Sequence, residues 1–348
     1  MVNRIDFEII KKKANALGLE YMGAIPADPD GDKEELYKQW IQKGYHGDMA
    51  YLAQHASMKY HPQNILEGAK SLFFVGLNYY QKPQPIVEGE GKVALYAWGR
   101  DYHKVLGKAL TKLVKELGLE YPGESFRKFT DSGPLDERYY AAKANLGYVG
   151  RHTLLISRSL GSYFFIGEIL STIEIETSKP VGDHGSCPSG CFRCIQSCPT
   201  GALSKEGVMN SNLCISYLTI EYSGYIDDSL WPLMGSWIFG CDLCQTCCPH
   251  NLRARPTEVE DFLTWKAGPS FPLDKLFKMD RDEFLKYGGS PIMRAGLPQL
   301  QRNGCIAAVN QKRTDLLPLI EALISSDHVV LGQTAKKACQ LLGKLVNN

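Results

Sequence analysis

With 348 residues, 44% of them hydrophobic, the chain is too long for one average domain and well able to bury a sizeable core. The formal net charge of +1 excludes a general polycation but not a local basic patch. Residues 1–250 carry 25 Lys/Arg against 28 Asp/Glu, whereas residues 251–348 carry 14 against 10, so near-neutrality hides a mildly basic C-terminal part.

In chain order, Ile5, Ile9, Ile10, Ala14 and Leu17 fall at helical spacing, and Gly18 ends that helix. A short strand is expected at 19–25 and a surface turn at 26–33. Residues 71–80 (SLFFVGLNYY) read as a buried strand, and 92–97 as a shorter apolar segment. The clearest helix is 104–117, with Leu106, Leu110, Leu113 and Leu117 on one face. Pro134 suits the first turn of a further helix through 135–145. Two extended segments are expected around Gly161 within 153–175. Strands and helices do not alternate as in a barrel, so an α+β core over 1–180 is expected. Residues 181–250 offer little apolar material between Cys, Gly and Pro, and need a metal or sulfide cluster to fold around. Residues 251–348 read as a connector followed by helices at 291–310, 315–326 and 333–346.

Nine of the eleven cysteines lie between Cys187 and Cys248. The first six residues turn quickly to a mixed polar pattern, and no run of about 18 uncharged apolar residues occurs. The expectation is a cytoplasmic protein with metal-bound thiolates, without disulfides and without a membrane span. One run holds Cys187, Cys191, Cys194 and Cys198-Pro199; the other holds Cys241, Cys244, Cys247 and Cys248-Pro249. Each contains a C-x2-C step and ends in C-x3-C-P or its equivalent, the spacing of two-cluster ferredoxins. In those proteins the cysteine before proline serves the other cluster. The expected ligand sets are therefore Cys187, Cys191, Cys194 and Cys248 for one [4Fe-4S] cluster, and Cys198, Cys214, Cys241 and Cys244 for a second. Cys247 is left over and can exchange roles with Cys248; the opening C-x3-C makes Cys187 the least regular ligand. Structural zinc takes the same thiolates and is the alternative. Cys305 and Cys339 sit in helical apolar patterns and read as structural thiols.

Further segments carry a resemblance. They are Tyr45-His46-Gly47-Asp48-Met49, Gly99-Arg100-Asp101-Tyr102-His103, Asp131-Ser132-Gly133-Pro134-Leu135-Asp136-Glu137-Arg138, Gly147-Tyr148-Val149-Gly150-Arg151-His152-Thr153, and Cys214-Ile215-Ser216-Tyr217-Leu218. Together with the cysteine runs they resemble the epoxyqueuosine reductases, from about residue 40 through 310. The resemblance implies a nitroreductase-like cobalamin-binding domain (1–180), a two-cluster ferredoxin-like domain (181–250) and a connector with a HEAT-like helical region (251–348). It implies reduction of epoxyqueuosine to queuosine at the wobble position of transfer RNA, with cobalamin and two [4Fe-4S] clusters. An external electron donor such as a flavodoxin or ferredoxin system, and a monomeric state, are also implied. Trp98, Arg151-His152 and His250 depart from the family pattern. By family position Asp131 is the general acid, its carboxyl expected to be raised by burial; the alternative for Asp131 is a helix cap. Arg100, Asp101, Tyr102, His103, Gly147, Tyr148, Gly150, Arg151, His152 and Thr153 are the candidate cofactor contacts. Arg294, Arg302, Lys312, Arg313, Lys336 and Lys337 are candidate phosphate contacts. The alternative function is another cobalamin-dependent iron–sulfur reductase related to reductive dehalogenases.

Overall fold

The apolar run at 71–80 becomes an inner strand of a four-stranded sheet in the computed structural model, which describes residues 4–85, 87–179 and 185–346. The strands are β1 (Tyr21–Pro26), β2 (Ser71–Asn78), β3 (Phe126–Thr130) and β4 (Phe164–Ser171). They lie in the order β1-β2-β4-β3, every neighbour antiparallel. Alternation along β2 and β4 feeds two cores. Phe73, Val75, Phe165 and Ile169 join the larger one, whereas Leu72, Phe74, Ile166 and Leu170 join the smaller one beneath the opposite face. Both faces are covered, which is why these strands read as continuous apolar runs.

The helices used below are α1 (Phe7–Ala16), α2 (Gly31–Gln42), α3 (Tyr102–Glu120), α4 (Glu137–Lys143), α5 (Leu297–Asn310), α6 (Leu317–Ala322) and α7 (Val329–Val346). On the larger core, α3 buries Leu106, Leu110, Leu113 and Leu117, the stripe its spacing predicts. On the other face α4 buries Tyr140 and Ala141. Two sequence expectations are corrected. The turn at 26–33 ends early, because the Asp30 carboxylate accepts the Lys33 N–H and starts α2 at Gly31. No residue of α2 is fully buried, so its sequence shows no apolar stripe. The helix expected through 135–145 begins at Glu137 with Asp136 as its cap, leaving Pro134 outside it.

The three expected regions are interlocked. Strand Glu90–Val93 pairs in parallel with Trp237–Phe239 and antiparallel with Ser270–Pro272, one piece from each region. The larger apolar core likewise runs from Ile5 to Leu342. The expected boundary at residue 180/181 lies outside the described residues. In the C-terminal region α7 packs on α5 and α6.

Arg302 ties this region to the cysteine-bearing segment. It is 1% exposed, so it is no phosphate contact, contrary to its sequence reading. Its guanidinium donates to the carbonyls of Tyr222 (2.6 Å), Gly224 (2.7 Å) and Leu218 (2.6 Å), and to Asn303 Oδ1. Asn303 in turn donates to the carbonyls of Thr219 and Ile238. Burial holds the Arg302 pKa down to about 10, still cationic at neutral pH. Arg302→Met keeps the side-chain bulk but strands three buried carbonyls, at a cost on the order of 3 kcal/mol. Urea unfolding should show that loss; an unchanged midpoint would refute the structural role.

Candidate active site

The site is built where two chain turns meet. At the start of α3, Asp101 accepts the His103 N–H (3.0 Å) and faces His103 Nδ1 at 2.9 Å. Tyr102 stacks on Phe165, ring centroids 4.0 Å apart. At the end of β3, Asp131 adopts a left-handed backbone (φ 58°), uncommon for a residue with a side chain. Tyr102 donates its hydroxyl to Asp131 Oδ2 at 2.6 Å, and His103 Nε2 lies 3.4 Å from the same oxygen. Asp136, not Asp131, caps α4, so the capping alternative for Asp131 falls.

About half of the Asp131 side chain is open to the adjoining cavity. Burial by the surrounding walls pushes its carboxyl upward. The hydrogen bonds from His103 and Tyr102, with the charges of His103 and Arg294, outweigh that and leave it below the ordinary range. The expected raised carboxyl is thus corrected: in this arrangement Asp131 is a carboxylate. Its partner holds the proton, since hydrogen bonds to Asp101 and then Asp131 push His103 up to about 9. Glu137, on the same cavity wall, is pushed up to about 8 by burial and by the charge of Asp131.

The cavity has a volume of about 430 Å³. Tyr102, Asp131, Glu137 and Arg138 form part of its wall, and Cys214, Cys241 and Cys244 another part. Arg294 also lines it, held by Glu221 (2.6 and 3.0 Å). A second cavity of about 620 Å³ shares Arg138, Thr153 and Met209 with the first. Its walls include Tyr37, Trp40, Tyr60 and Tyr139, with Lys33, Lys43 and Lys59.

Of the candidate cofactor contacts, Tyr102, His152 and Thr153 line the first cavity, and His103 reaches it through Asp131. His152 Nε2 is buried with no hydrogen-bond partner, and burial, then the charge of His250, pushes the ring down to about 4. It is a neutral imidazole facing a large cavity. The others sit behind this surface. Arg100 pairs with Asp261, and Asp101 holds His103. Arg151 turns to the first cysteine loop, its N–H on Cys187 Sγ (3.4 Å) and its guanidinium on the Cys191 carbonyl (3.1 Å). Gly147 is required by packing, since a Cβ there would meet the Ile156 carbonyl oxygen at 2.1 Å, whereas a Cβ at Gly150 would press on the tip of the Ile156 side chain, Cδ1, at 2.5 Å. The Tyr148 ring packs edge-on against His250. Glu137, Arg138 and Glu221 were not named as site residues from sequence; the signal for the first two was their place in the Asp131 segment, and for Glu221 its place at the end of the segment that begins at Cys214.

The cysteine segment folds with short helices at Arg193–Gln196 and Leu243–Thr246. Thiols within electrostatic reach of one another fall into two groups. Cys248 faces Cys187 and Cys191, and Cys194 faces Cys187. Cys241 faces Cys214 and Cys198, and Cys244 faces Cys241 and Cys214. Cys247 lies between them, near Cys194, Cys244 and Cys248. Among the described residues no three ligating groups close on a single-ion site. Eight thiols in two such groups suit cubane clusters, whose ligands stand farther apart than those of one ion.

An α+β domain docked on a double-cluster segment, with carboxyl and thiol groups on one cavity, defines an iron–sulfur oxidoreductase. A family profile described as epoxyqueuosine reductase QueG, DUF1730, matches residues 59–132, and one described as 4Fe-4S double cluster binding domain matches 187–251. The second match settles the metal question for iron–sulfur over zinc. The chain is 36% identical to the epoxyqueuosine reductase of Pseudomonas aeruginosa over 320 residues, covering 90% of this chain and 87% of that one. It is 37% identical to that of Escherichia coli over 307 residues, covering 86% and 80%. The solved epoxyqueuosine reductase of Streptococcus thermophilus superposes with a TM-score of 0.84 at 27% identity, covering 97% and 90%. An epoxyqueuosine reductase solved with an epoxyqueuosine-modified transfer-RNA stem loop superposes at 0.87, 26% identity, covering 97% and 90%. The chain belongs to the epoxyqueuosine reductase family.

The raised His103 pKa has a pH signature. Its contribution to stability is full below the ordinary histidine value, about 6.5, and is lost as pH rises through about 9. The lowered Asp101 and Asp131 set the acid limit, since both must stay ionised. His103→Gln should therefore destabilise most near pH 6, with the difference from wild type shrinking towards pH 9, read by denaturant unfolding across that range. A pH-independent difference would show that the ion pair is not its source.

Proposed function

We infer that this chain reduces the epoxide of epoxyqueuosine in transfer RNA to the alkene of queuosine. One observation carries the reading: the Asp131 carboxyl and the thiols Cys214, Cys241 and Cys244 share one cavity wall. A proton-handling group and an electron-carrying site thus meet where a substrate enters. Membership of the family is what favours epoxide reduction over the dehalogenase-like alternative.

The two adjoining cavities, and the orphaned Nε2 of His152, a residue of the first cavity's wall, fit a large macrocycle with polar edges. We assign this space to cobalamin, which supplies a strongly reducing cobalt centre when bound. Tyr102, His152 and Thr153 would touch it directly; Arg100, Asp101, Gly147, Tyr148, Gly150 and Arg151 hold the elements from which those groups project. Cys187, Cys191, Cys194 and Cys248 would hold one [4Fe-4S] cluster and Cys198, Cys214, Cys241 and Cys244 the other, passing electrons singly from an external donor of the flavodoxin or ferredoxin kind. Cys214, Cys241 and Cys244 line the cavity, so the cluster they would hold would stand last in that path.

Asp131 is the acid in this scheme. In the structure it shares one proton with His103, and an incoming epoxide oxygen would draw that proton from imidazolium through the carboxyl. Tyr102 holds the carboxylate oxygen in place. Arg294 lies on the same wall with its charge partly answered by Glu221, positioned for the RNA backbone. Arg313 and Lys337 are paired with Asp315 and Asp228, while Lys312 and Lys336 are exposed. Among the described residues no helix is long and apolar enough to cross a membrane. We take the monomer in the cytoplasm as the working form.

The decisive assay is conversion of epoxyqueuosine-bearing RNA by anaerobically reconstituted protein, read by nucleoside mass spectrometry. Asp131→Asn should slow conversion on the order of 10²-fold while cobalamin uptake stays normal; wild-type conversion would remove Asp131 as the acid. For the clusters, Cys247→Ser should retain about eight irons per chain and Cys248→Ser about half of them. The reverse pattern would exchange the two cysteines.

A further inference from the structure

We propose that Glu137, on the cavity wall, and the buried Glu168 form a carboxyl pair that stores and delivers the second proton of each turnover. The proposal rests on the reading of Asp131 as the first donor. Removing an epoxide oxygen to leave an alkene breaks two C–O bonds, forms one C–C π bond and releases water. It consumes two electrons, which the clusters bring, and two protons. Asp131 and His103 hold one mobile proton between them, as a carboxylate beside an imidazolium. Once it is given to the oxygen, a second is needed while the substrate still fills the cavity.

Glu168 lies on β4, in register with Phe74 of β2 and Phe129 of β3, on an otherwise apolar sheet face. It is 2% exposed, and its Oε2 has no hydrogen-bond partner. Its Oε1 lies directly beneath the Asp131 turn: a Cβ on Gly133 would come within 2.4 Å of it. An ionised carboxylate would be expensive in that place, so the group is a neutral acid with a proton to give. Glu137 lies between Glu168 and the first donor in electrostatic terms, within reach of both, and it forms part of the cavity wall.

The groups that surround the pair are Lys59, Asp136 and Arg138 on one side and Asp131 with its partners His103, Tyr102 and Arg294 on the other. The Lys59 charge opposes the upward shift of both carboxyls but is outweighed by burial. Burial dominates both carboxyls and pushes both upward, Glu137 to about 8. Glu137 lines the cavity and Glu168 lies behind it, so Glu137 gives its proton to the oxygen first and is refilled from Glu168. After product leaves, water in the open cavity recharges both through Glu137.

The test uses holoenzyme loaded with clusters and cobalamin, an epoxyqueuosine-bearing stem loop, and single-turnover rates from about pH 6 to 10, spanning both raised groups. Wild type should lose rate on the alkaline side near pH 8. Glu137→Gln and Glu168→Gln should each slow the chemical step about tenfold at neutral pH, with RNA binding unchanged. In Glu137→Gln the remaining alkaline fall should move up towards the His103 value, near 9, whereas Glu168→Gln, which keeps Glu137, should retain the fall near pH 8. Protein without cofactors gives a second readout: a neutral carboxylic acid band in the infrared at neutral pH, weakened in Glu168→Gln. Rate–pH profiles that superimpose on wild type, or absence of that band in wild type, would overturn the proposal. If Glu168→Gln fails to fold, Glu137→Gln decides alone, since its side chain is on the cavity wall. Asp131→Asn separates the two levels. Wild-type rates there would remove the underlying reading; a slow Asp131→Asn beside normal Glu137→Gln and Glu168→Gln would remove the pair only.

Discussion

The structure depends on one buried cation being fully satisfied. Arg302 sits on α5, and its guanidinium meets carbonyls at Leu218, Tyr222 and Gly224. Those carbonyls belong to the short helix after Cys214 and the turn that follows it. A buried guanidinium without such partners would cost several kcal/mol, so only one docking position of α5 is acceptable. That position fixes the helix carrying Cys214 from behind, and it brings Arg294 onto Glu221 at the edge of the cavity. The C-terminal helices therefore act on the cavity through backbone carbonyls of the cysteine segment.

The opposite side of the cavity is set by different means. There, the sheet fixes the end of β3 and the beginning of β4, and Asp131 is forced into a left-handed turn between β3 and α4. Gly133 permits that turn to lie on Glu168, while Tyr102 and His103 pull the Asp131 carboxyl towards α3. Two independent anchors thus hold one side chain whose backbone is strained. Strain of this kind persists only where the surroundings over-determine it, and it clusters at sites that do chemistry.

The sequence was most legible where a periodic pattern coincided with burial. The α3 stripe and the apolar run of β2 led directly to the elements observed, because each buries one face or both. The cysteine spacing was equally informative, since short C-x2-C and C-x3-C steps let neighbouring thiolates turn towards a cubane. The helix α2 was missed because it buries no side chain completely. The electrostatics of the site were also illegible. Asp131 reads as an acid raised by burial, and only the fold shows that two donors from residues 102 and 103 reverse the shift. Arg302 reads as a surface cation for the same reason: nothing local shows that three carbonyls from 80 or so positions away converge on it.

The glycines at 147 and 150 show how a motif can be right about place and wrong about mechanism. A glycine-rich segment suggests backbone pressed against a ligand. Here the side-chain space at both positions is taken by Ile156, so the glycines close a tight hairpin between Tyr148–Val149 and Leu155–Ile156. The hairpin in turn carries His152 and Thr153 to the cavity, and sets the Arg151 N–H on the Cys187 sulfur. One short loop therefore touches both the cavity and the first group of thiols.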